Sequence, residues 1–197
     1  MPNESDAPKR GRGRPRREGA DQEILTVALE MLREKGYRDL TVDAIAERAH
    51  VAKTTVYRRW PSKGALVANA VAPMAAALAQ APDSGSLEAD LTQLLTNTRE
   101  LLAGELGPIA AELIAESQHD PELIEIVGAI IAPRRKLFRD VLERAVSRGE
   151  LPPHDAEFVV DLLVAPLWLR LLVAHVPLTA ELPEKLVKTV LDGVRAR

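Results

Sequence analysis

Between Lys53 and Lys63 the chain reads KTTVYRRWPSK, a run of hydroxyls, a phenol and cations without a carboxylate. On a helix Lys53, Thr54, Tyr57 and Arg58 stand at i, i+1, i+4 and i+5 and share one face, while Val56 and Trp60 point the other way. Such a face donates hydrogen bonds and presents positive charge. It suits phosphate oxygens and base edges in a DNA major groove and holds nothing that attacks a bond. Catalytic chemistry finds little elsewhere: there is no Gly-rich phosphate loop, no nucleophile-elbow serine and no paired histidine spacing for zinc. His50, His119, His154 and His175 are far apart, and the absence of cysteine removes disulfides, thiolate metal sites and thiol nucleophiles together. The carboxylates fall on amphipathic helices, where a solvated face explains them. The expectation is a binding protein, not an enzyme, with no metal and no cofactor.

Charge is laid out unevenly. Lys and Arg number 26 against 29 Asp and Glu, a net charge of −3 that taken alone argues against a nucleic-acid partner. Residues 1–17, however, carry Lys9, Arg10, Arg12, Arg14, Arg16 and Arg17 against only Glu4 and Asp6. Residues 18–66 are balanced at eight of each sign, and residues 67–197 hold 12 basic and 19 acidic side chains. A cationic end facing a polyanion and an acidic body facing something else account for this pattern. The first 17 residues, rich in Gly, Pro and Arg, lack a hydrophobic period and are expected to form a disordered arm. Within it Arg12-Gly13-Arg14-Pro15 is the core of an AT-hook-like motif, in which Arg12 and Arg14 lie in a narrow A·T minor groove. A merely solubilising tail is the plain alternative.

The elements that must position these residues are helical. With 197 residues, 46% of them hydrophobic, the chain can bury a core, and its apolar residues repeat at helical spacing with no sustained alternation, so the fold class is all-α. A first helix spans about Asp21–Lys35 and stops at Gly36; a second runs from Val42, capped by Thr41, to near Ala49; His50 and Val51 turn the chain; a third covers Lys53 to about Trp60. Two short helices across a tight turn are a helix-turn-helix pattern. A fourth helix opens at Lys63 and reaches about Gln80 with a kink at Pro73. Further helices are expected at about 87–103, 108–118, 121–148, 155–175 and 182–195, the third and fourth of these kinked or split at Pro133 and Pro166. Apolar runs are too short for a spanning helix, which with the absence of a secretory signal gives the expectation of a soluble cytoplasmic protein without a membrane partner.

Residues 41–66, TVDAIAERAHVAKTTVYRRWPSKGAL, closely resemble the DNA-binding signature of the tetracycline-repressor (TetR) family. The matching features are Thr41 at the cap, Ile45-Ala46 in the second helix, Val51 in the turn, Thr55 and Tyr57 in the recognition helix, Trp60, and Ser62-Lys63 opening a linker helix. The resemblance is strong over about residues 21–66; beyond them only length and helical pattern agree. It implies an N-terminal helix-turn-helix domain (residues 18–66) joined by a linker helix to a C-terminal helical ligand-binding and dimerisation bundle (residues 67–197). It also implies a homodimer on double-stranded DNA at a pseudo-palindromic operator, released by a small-molecule effector. By the same resemblance Lys53, Thr54, Thr55 and Arg58 make base or mixed contacts, and Thr41, Tyr57 and Lys63 contact phosphate. Arg59, turned partly away, is expected to meet phosphate or stay solvated. Three positions depart from the pattern: His50 stands where Gly is commonest, Ala52 replaces a Ser cap, and Gly64 replaces an acidic residue or a good helix former.

The effector expected from a lining of Leu, Ile, Val and Ala is apolar or amphipathic. Phe138, Phe158, Trp168 and Arg170 are the candidate ligand contacts. The segment 156–176 is apolar on two sides and needs burial on two sides. Val160, Leu163, Leu167 and Leu171, with Leu186 and Val190 of the last helix, form a candidate dimer interface; a fully buried central helix is the alternative. Two other readings of the whole chain are an architectural DNA binder with weak sequence selectivity and a helical interaction module with a vestigial helix-turn-helix.

Overall fold

A computed structural model describes residues 19–76 and 81–195. Arg12, Arg14 and the rest of the expected arm lie outside these residues, as does the expected end of the fourth helix at Gln80. Among the described residues there are nine α-helices and no strand, and no helix is long and apolar enough to cross a membrane.

Helix α1 (Ala20–Asp39) buries Ile24, Ala28, Met31 and Leu32 along one stripe. The helix breaks at Gly36, where the sequence places its stop. Gly36 leaves helical geometry (φ 77°, ψ 172°), yet a further turn follows and tucks Tyr37 into the core. The reason is distant in sequence: Glu112 accepts the Tyr37 and Arg38 backbone N–H groups at 2.6 and 3.3 Å, supplying partners that the broken helix cannot.

Thr41 caps α2 (Val42–Arg48), its hydroxyl accepting the Ala44 N–H at 3.2 Å. At the other end Val51 N–H bonds Ala46 O at 2.9 Å and His50 N–H bonds Glu47 O at 3.1 Å. This is the paired closure of a Schellman motif, and it requires a left-handed residue at His50, whose φ is 53°. A left-handed non-glycine residue costs about 1–2 kcal/mol, whereas glycine there forfeits about 0.5–1 kcal/mol of chain entropy. His50→Gly is therefore expected to stabilise the protein by about 0.5–1 kcal/mol, read as a higher urea midpoint with an unchanged slope.

Helix α3 (Lys53–Tyr57) starts without a side-chain cap at Ala52, as the sequence indicates, and is shorter than expected; Arg58–Trp60 follow in a hydrogen-bonded turn. Five residues, three of them β-branched, do not make a stable helix alone. Val56 and Trp60, both buried, seat α3 on the core and turn its polar face outward. Ser62 Oγ accepts the Ala65 N–H at 3.0 Å, capping α4 (Lys63–Ala76), which runs through Pro73.

Ser86, Asp120 and Asp155 cap α5 (Leu87–Ala103), α7 (Pro121–Ser147) and α8 (Ala156–Leu169), and α6 (Leu106–Ser117) lies between the first two. Neither long helix is split at its internal proline: α7 passes through Pro133 unbroken, and α8 passes Pro166 before widening at Arg170–Ala174 into a π-helical turn, which ends at left-handed His175. A proline removes one N–H from the ladder, and the flanking bonds hold the rest. Helix α9 (Leu182–Arg195) closes the chain.

Two apolar cores result. The first joins α1–α4 and draws in Ile109 and Leu113 of α6 and Leu123 of α7. The second is built from α5, the later part of α7, α8 and α9. Helix α4 buries Leu66, Val67, Ala70 and Val71 on the first core, so it crosses the expected domain boundary at residue 66 without a break in packing.

Candidate nucleic-acid interface

On the outer face of α3, Lys53, Thr54 and Arg58 are exposed, Tyr57 is 43% exposed and Thr55 is half-buried. Lys53 Nζ bonds Asp43, at 2.6 Å to one carboxylate oxygen and 2.8 Å to the other, and lies 5.6 Å from the centre of the Tyr57 ring. This pair ties the start of α3 to the start of α2. The direct hydrogen bond to Asp43 holds the Lys53 ammonium above the usual lysine range. Asp43 thus aims the cation; because the pair is open to solvent, a phosphate or a base edge can compete for Lys53.

Other basic residues are committed to the scaffold. Arg48 bonds Glu34 through both terminal nitrogens at 2.5 and 2.8 Å, clamping α2 to α1. Arg59, expected on phosphate or in solvent, instead forms an ion pair with Asp21 at the start of α1. Lys63 is half-buried: its Nζ donates to Tyr37 O at 2.9 Å and lies 4.1 Å from the centre of the Tyr37 ring, leaving two ammonium protons for an outside acceptor. Burial, with Asp120, Glu122 and Glu116 nearby, pushes the Tyr37 phenol up to about 12.

A set of carboxylates on α6, α7 and the turn before α6 holds the helix-turn-helix unit. Besides Glu112 on the Tyr37 and Arg38 amides, Glu105 meets Arg33 at 2.5 Å, Glu116 meets Arg38 at 3.5 Å, and Glu122 accepts from the Ser62 hydroxyl. Gly64 finds its explanation here. A Cβ on it would lie 2.7 Å from the Ile126 Cδ1, so the missing side chain lets α4 press against α7.

Between the two cores lies a cavity of about 100 Å³. Its lining takes Val71 and Leu113 from the first core and Leu102 and Phe138 from the second, with Trp168 of α8 and Arg134 of α7. Of the four ligand candidates read from the sequence, Phe138 and Trp168 line this space. The other two are corrected: Phe158 is 56% exposed on the outside of α8, and Arg170 donates to Pro177 O at 3.2 Å, fastening the π-helical turn to the loop after it. Arg134 and the α6 residues were not singled out from sequence, because their helix faces carry no signal until the packing partner is known. Among the described residues no cluster of His, Asp and Glu is arranged to hold a metal ion.

Three of the six candidate dimer residues also need correction. Val160, Leu163 and Leu167 have no exposed surface in the single chain; they are the inner stripe of α8 and cannot meet a second copy. Leu171, Leu186 and Val190 are half-buried against the same core. The outer stripe is Phe158, Leu162, Leu169 and Val173, exposed by 56, 42, 56 and 69%.

Comparison with known proteins agrees with this architecture from both ends. Residues 24–70 match the family described as bacterial regulatory proteins, tetR family, and residues 81–190 match the tetracyclin repressor-like C-terminal domain. The chain is 36% identical over 187 residues to the HTH-type transcriptional regulator YdeS of Bacillus subtilis, covering 94% of each protein. It is 33% identical over 151 residues to the DNA-binding transcriptional repressor TetR of Mycobacteroides abscessus, covering 75% of this chain and 80% of that one. The crystal structure of the TetR family transcription regulator SCO0332 superimposes with a TM-score of 0.74 at 32% identity, covering 90% of this chain and 99% of the other. With a capped helix-turn-helix presenting a cationic face and a helical body matched along its length, the chain belongs to the TetR family of DNA-binding transcriptional regulators, which are not enzymes.

Proposed function

We propose that the protein is a homodimeric repressor that reads a pseudo-palindromic operator and leaves it when a small apolar or amphipathic molecule enters the cavity between the two cores. The observation that carries this reading is the position of that cavity. Its walls belong to both cores, so a molecule filling it bears on the helices that hold the DNA-facing unit. A ligand shifts a two-state equilibrium only by its difference in affinity for the two states. A cavity of roughly 150 Å³ accepts a benzene-sized molecule; at about 100 Å³, this one fully contacts a larger effector only after its walls part. Helix α6 lines the cavity through Ala110, Leu113 and Ile114 and carries Glu112, so a displaced α6 draws Glu112 away from the Tyr37 and Arg38 amides. That is the proposed route from effector to recognition helix.

On the DNA, Lys53, Thr54, Thr55 and Arg58 are assigned to base or mixed contacts, and Thr41, Tyr57 and Lys63 to phosphate, with Arg12 and Arg14 of the arm in the flanking minor groove. Phosphate contacts position and base contacts specify. Lys53→Ala and Thr54→Ala are therefore expected to change the ranking of operator variants, by about 1–3 kcal/mol at the affected base pair. Tyr57→Phe is expected to weaken all sequences alike. Fluorescence anisotropy across a panel of single-base operator variants checks both, and a Tyr57→Phe protein with altered preference contradicts the assignment.

The dimer is assigned to the outer stripe of α8. Phe158, Leu162 and Leu169 on the outer face of α8, with Val173 of the π-helical turn beyond them, form a patch that a monomer rarely leaves in water, and a two-fold contact uses one such patch twice.

A further inference from the structure

Asp43 places a carboxylate beside the side chains assigned to DNA, where a polyanion repels it. It stands in the first turn of α2, a helix that Thr41 already caps. Its side chain is 63% exposed and that of Lys53 is 52% exposed, and both carboxylate oxygens reach the ammonium, at 2.6 and 2.8 Å. Arg48 and Arg59 spend their charge on α1. The Asp43–Lys53 pair instead joins the two helices of the helix-turn-helix to each other, with both partners open to solvent. An exposed pair of this kind adds little to stability, so bracing the fold is a weak account of it.

Affinity for unrelated duplex comes from cations that neutralise phosphates and release counterions. A lysine already neutralised by aspartate adds nothing to it. A base pair offers something different. In the major groove the edge of G·C sets guanine O6 and N7, which accept, beside the cytosine N4 amino group, which donates. Lysine suits the first and aspartate the second, and two side chains already in contact match two groups that share one edge. We propose that Asp43 and Lys53 read a G·C pair together, Lys53 on guanine and Asp43 on the cytosine amino group, and that Asp43 withholds Lys53 from phosphate at other sequences. The inference rests on the assignment of Lys53 to a base contact.

The test selects sites from random duplexes with the unaltered full chain, with Asp43→Ala, with Asp43→Asn and with Lys53→Ala. Each protein is then measured by fluorescence anisotropy on a duplex of equal length that lacks the selected site. The unaltered protein is expected to prefer G·C at one position of each half-site by about tenfold or more. Asp43→Ala should relax that position and leave the rest of the motif, and Asp43→Asn, nearly isosteric and suited to adenine, should move the preference there toward adenine. Both Asp43 variants should bind the unrelated duplex about three- to tenfold more tightly, with a salt dependence steeper by about one power. Adding Lys53→Ala to Asp43→Ala should cancel that gain. A carboxylate that only braces α2 against α3 gives the opposite sign, a loss on every duplex. That loss, or an unchanged motif with Asp43→Ala, overturns the proposal. A position relaxed by Lys53→Ala but not by Asp43→Ala leaves the Lys53 assignment standing and removes the part given to Asp43. A bound pool without a motif on the unaltered protein overturns both. Should Asp43→Ala not fold, Asp43→Asn decides through the same two measurements.

Discussion

A protein carrying Leu162→Asp and Leu169→Asp together is expected to run as a folded monomer and to bind operator about 10²–10⁴-fold more weakly than the unaltered chain. Both side chains stand on the outer stripe of α8, 42 and 56% exposed in the single chain, so aspartate there disturbs neither core. In a two-fold interface each new carboxylate would be buried without a partner and set against its own copy, a cost of several kcal/mol per charge. Loss of the dimer removes the tether that makes the second half-site encounter intramolecular, and the fall in affinity follows from that alone. Sedimentation velocity with thermal denaturation checks it. A double variant that remains dimeric with native stability removes α8 from the interface. Leu163→Asp, on the inner stripe with no exposed surface, is the contrast: it should abolish folding.

Gly36→Ala is expected to destabilise the protein by about 3 kcal/mol, combining backbone strain with a lost charge-assisted bond. The backbone at φ 77° and ψ 172° belongs to a region essentially reserved for glycine. An added Cβ would also fall on the Glu112 carboxylate. The carboxylate must then leave the Tyr37 and Arg38 amides, which returns those donors to poor partners. For a chain of this size the change should appear as a fall of about 6–12 °C in Tm. Glu112→Gln keeps a neutral acceptor and should cost about 1 kcal/mol, so the two variants separate strain from hydrogen bonding. Equal and small losses in both would show that Glu112 does not hold the α1–α2 corner.

The recognition unit was legible in the sequence because its signals are local. Thr41 as a cap, a left-handed His50, the uncapped Ala52 and the opposition of Val56 and Trp60 to Lys53, Tyr57 and Arg58 all concern residues within a few positions of one another. What failed depended on partners far along the chain. The turn that follows the break at Gly36 is held by Glu112, 75 residues beyond Tyr37, and the pairing of Arg59 with Asp21 leaves no mark in local spacing. Helix α8 shows the limit most clearly. Its sequence is apolar on two faces, and periodicity identifies the stripes without saying which faces inward. Packing against α5, α7 and α9 decides that Val160, Leu163 and Leu167 go inside and that Phe158, Leu162 and Leu169 remain outside. The cavity was hidden for the same reason, since its wall is assembled from side chains of five helices, α4 to α8.

The central claim, site-specific reading of DNA by a two-fold dimer, is tested most directly by selecting binding sites from a pool of random duplexes at near-physiological salt and sequencing the bound fraction. The account predicts enrichment of an inverted repeat whose half-sites lie one helical turn or a multiple of it apart, bound about 10³-fold or more tightly than the starting pool. A bound fraction with no common sequence, held only by a steep dependence on salt, would contradict it and make the protein an architectural DNA binder.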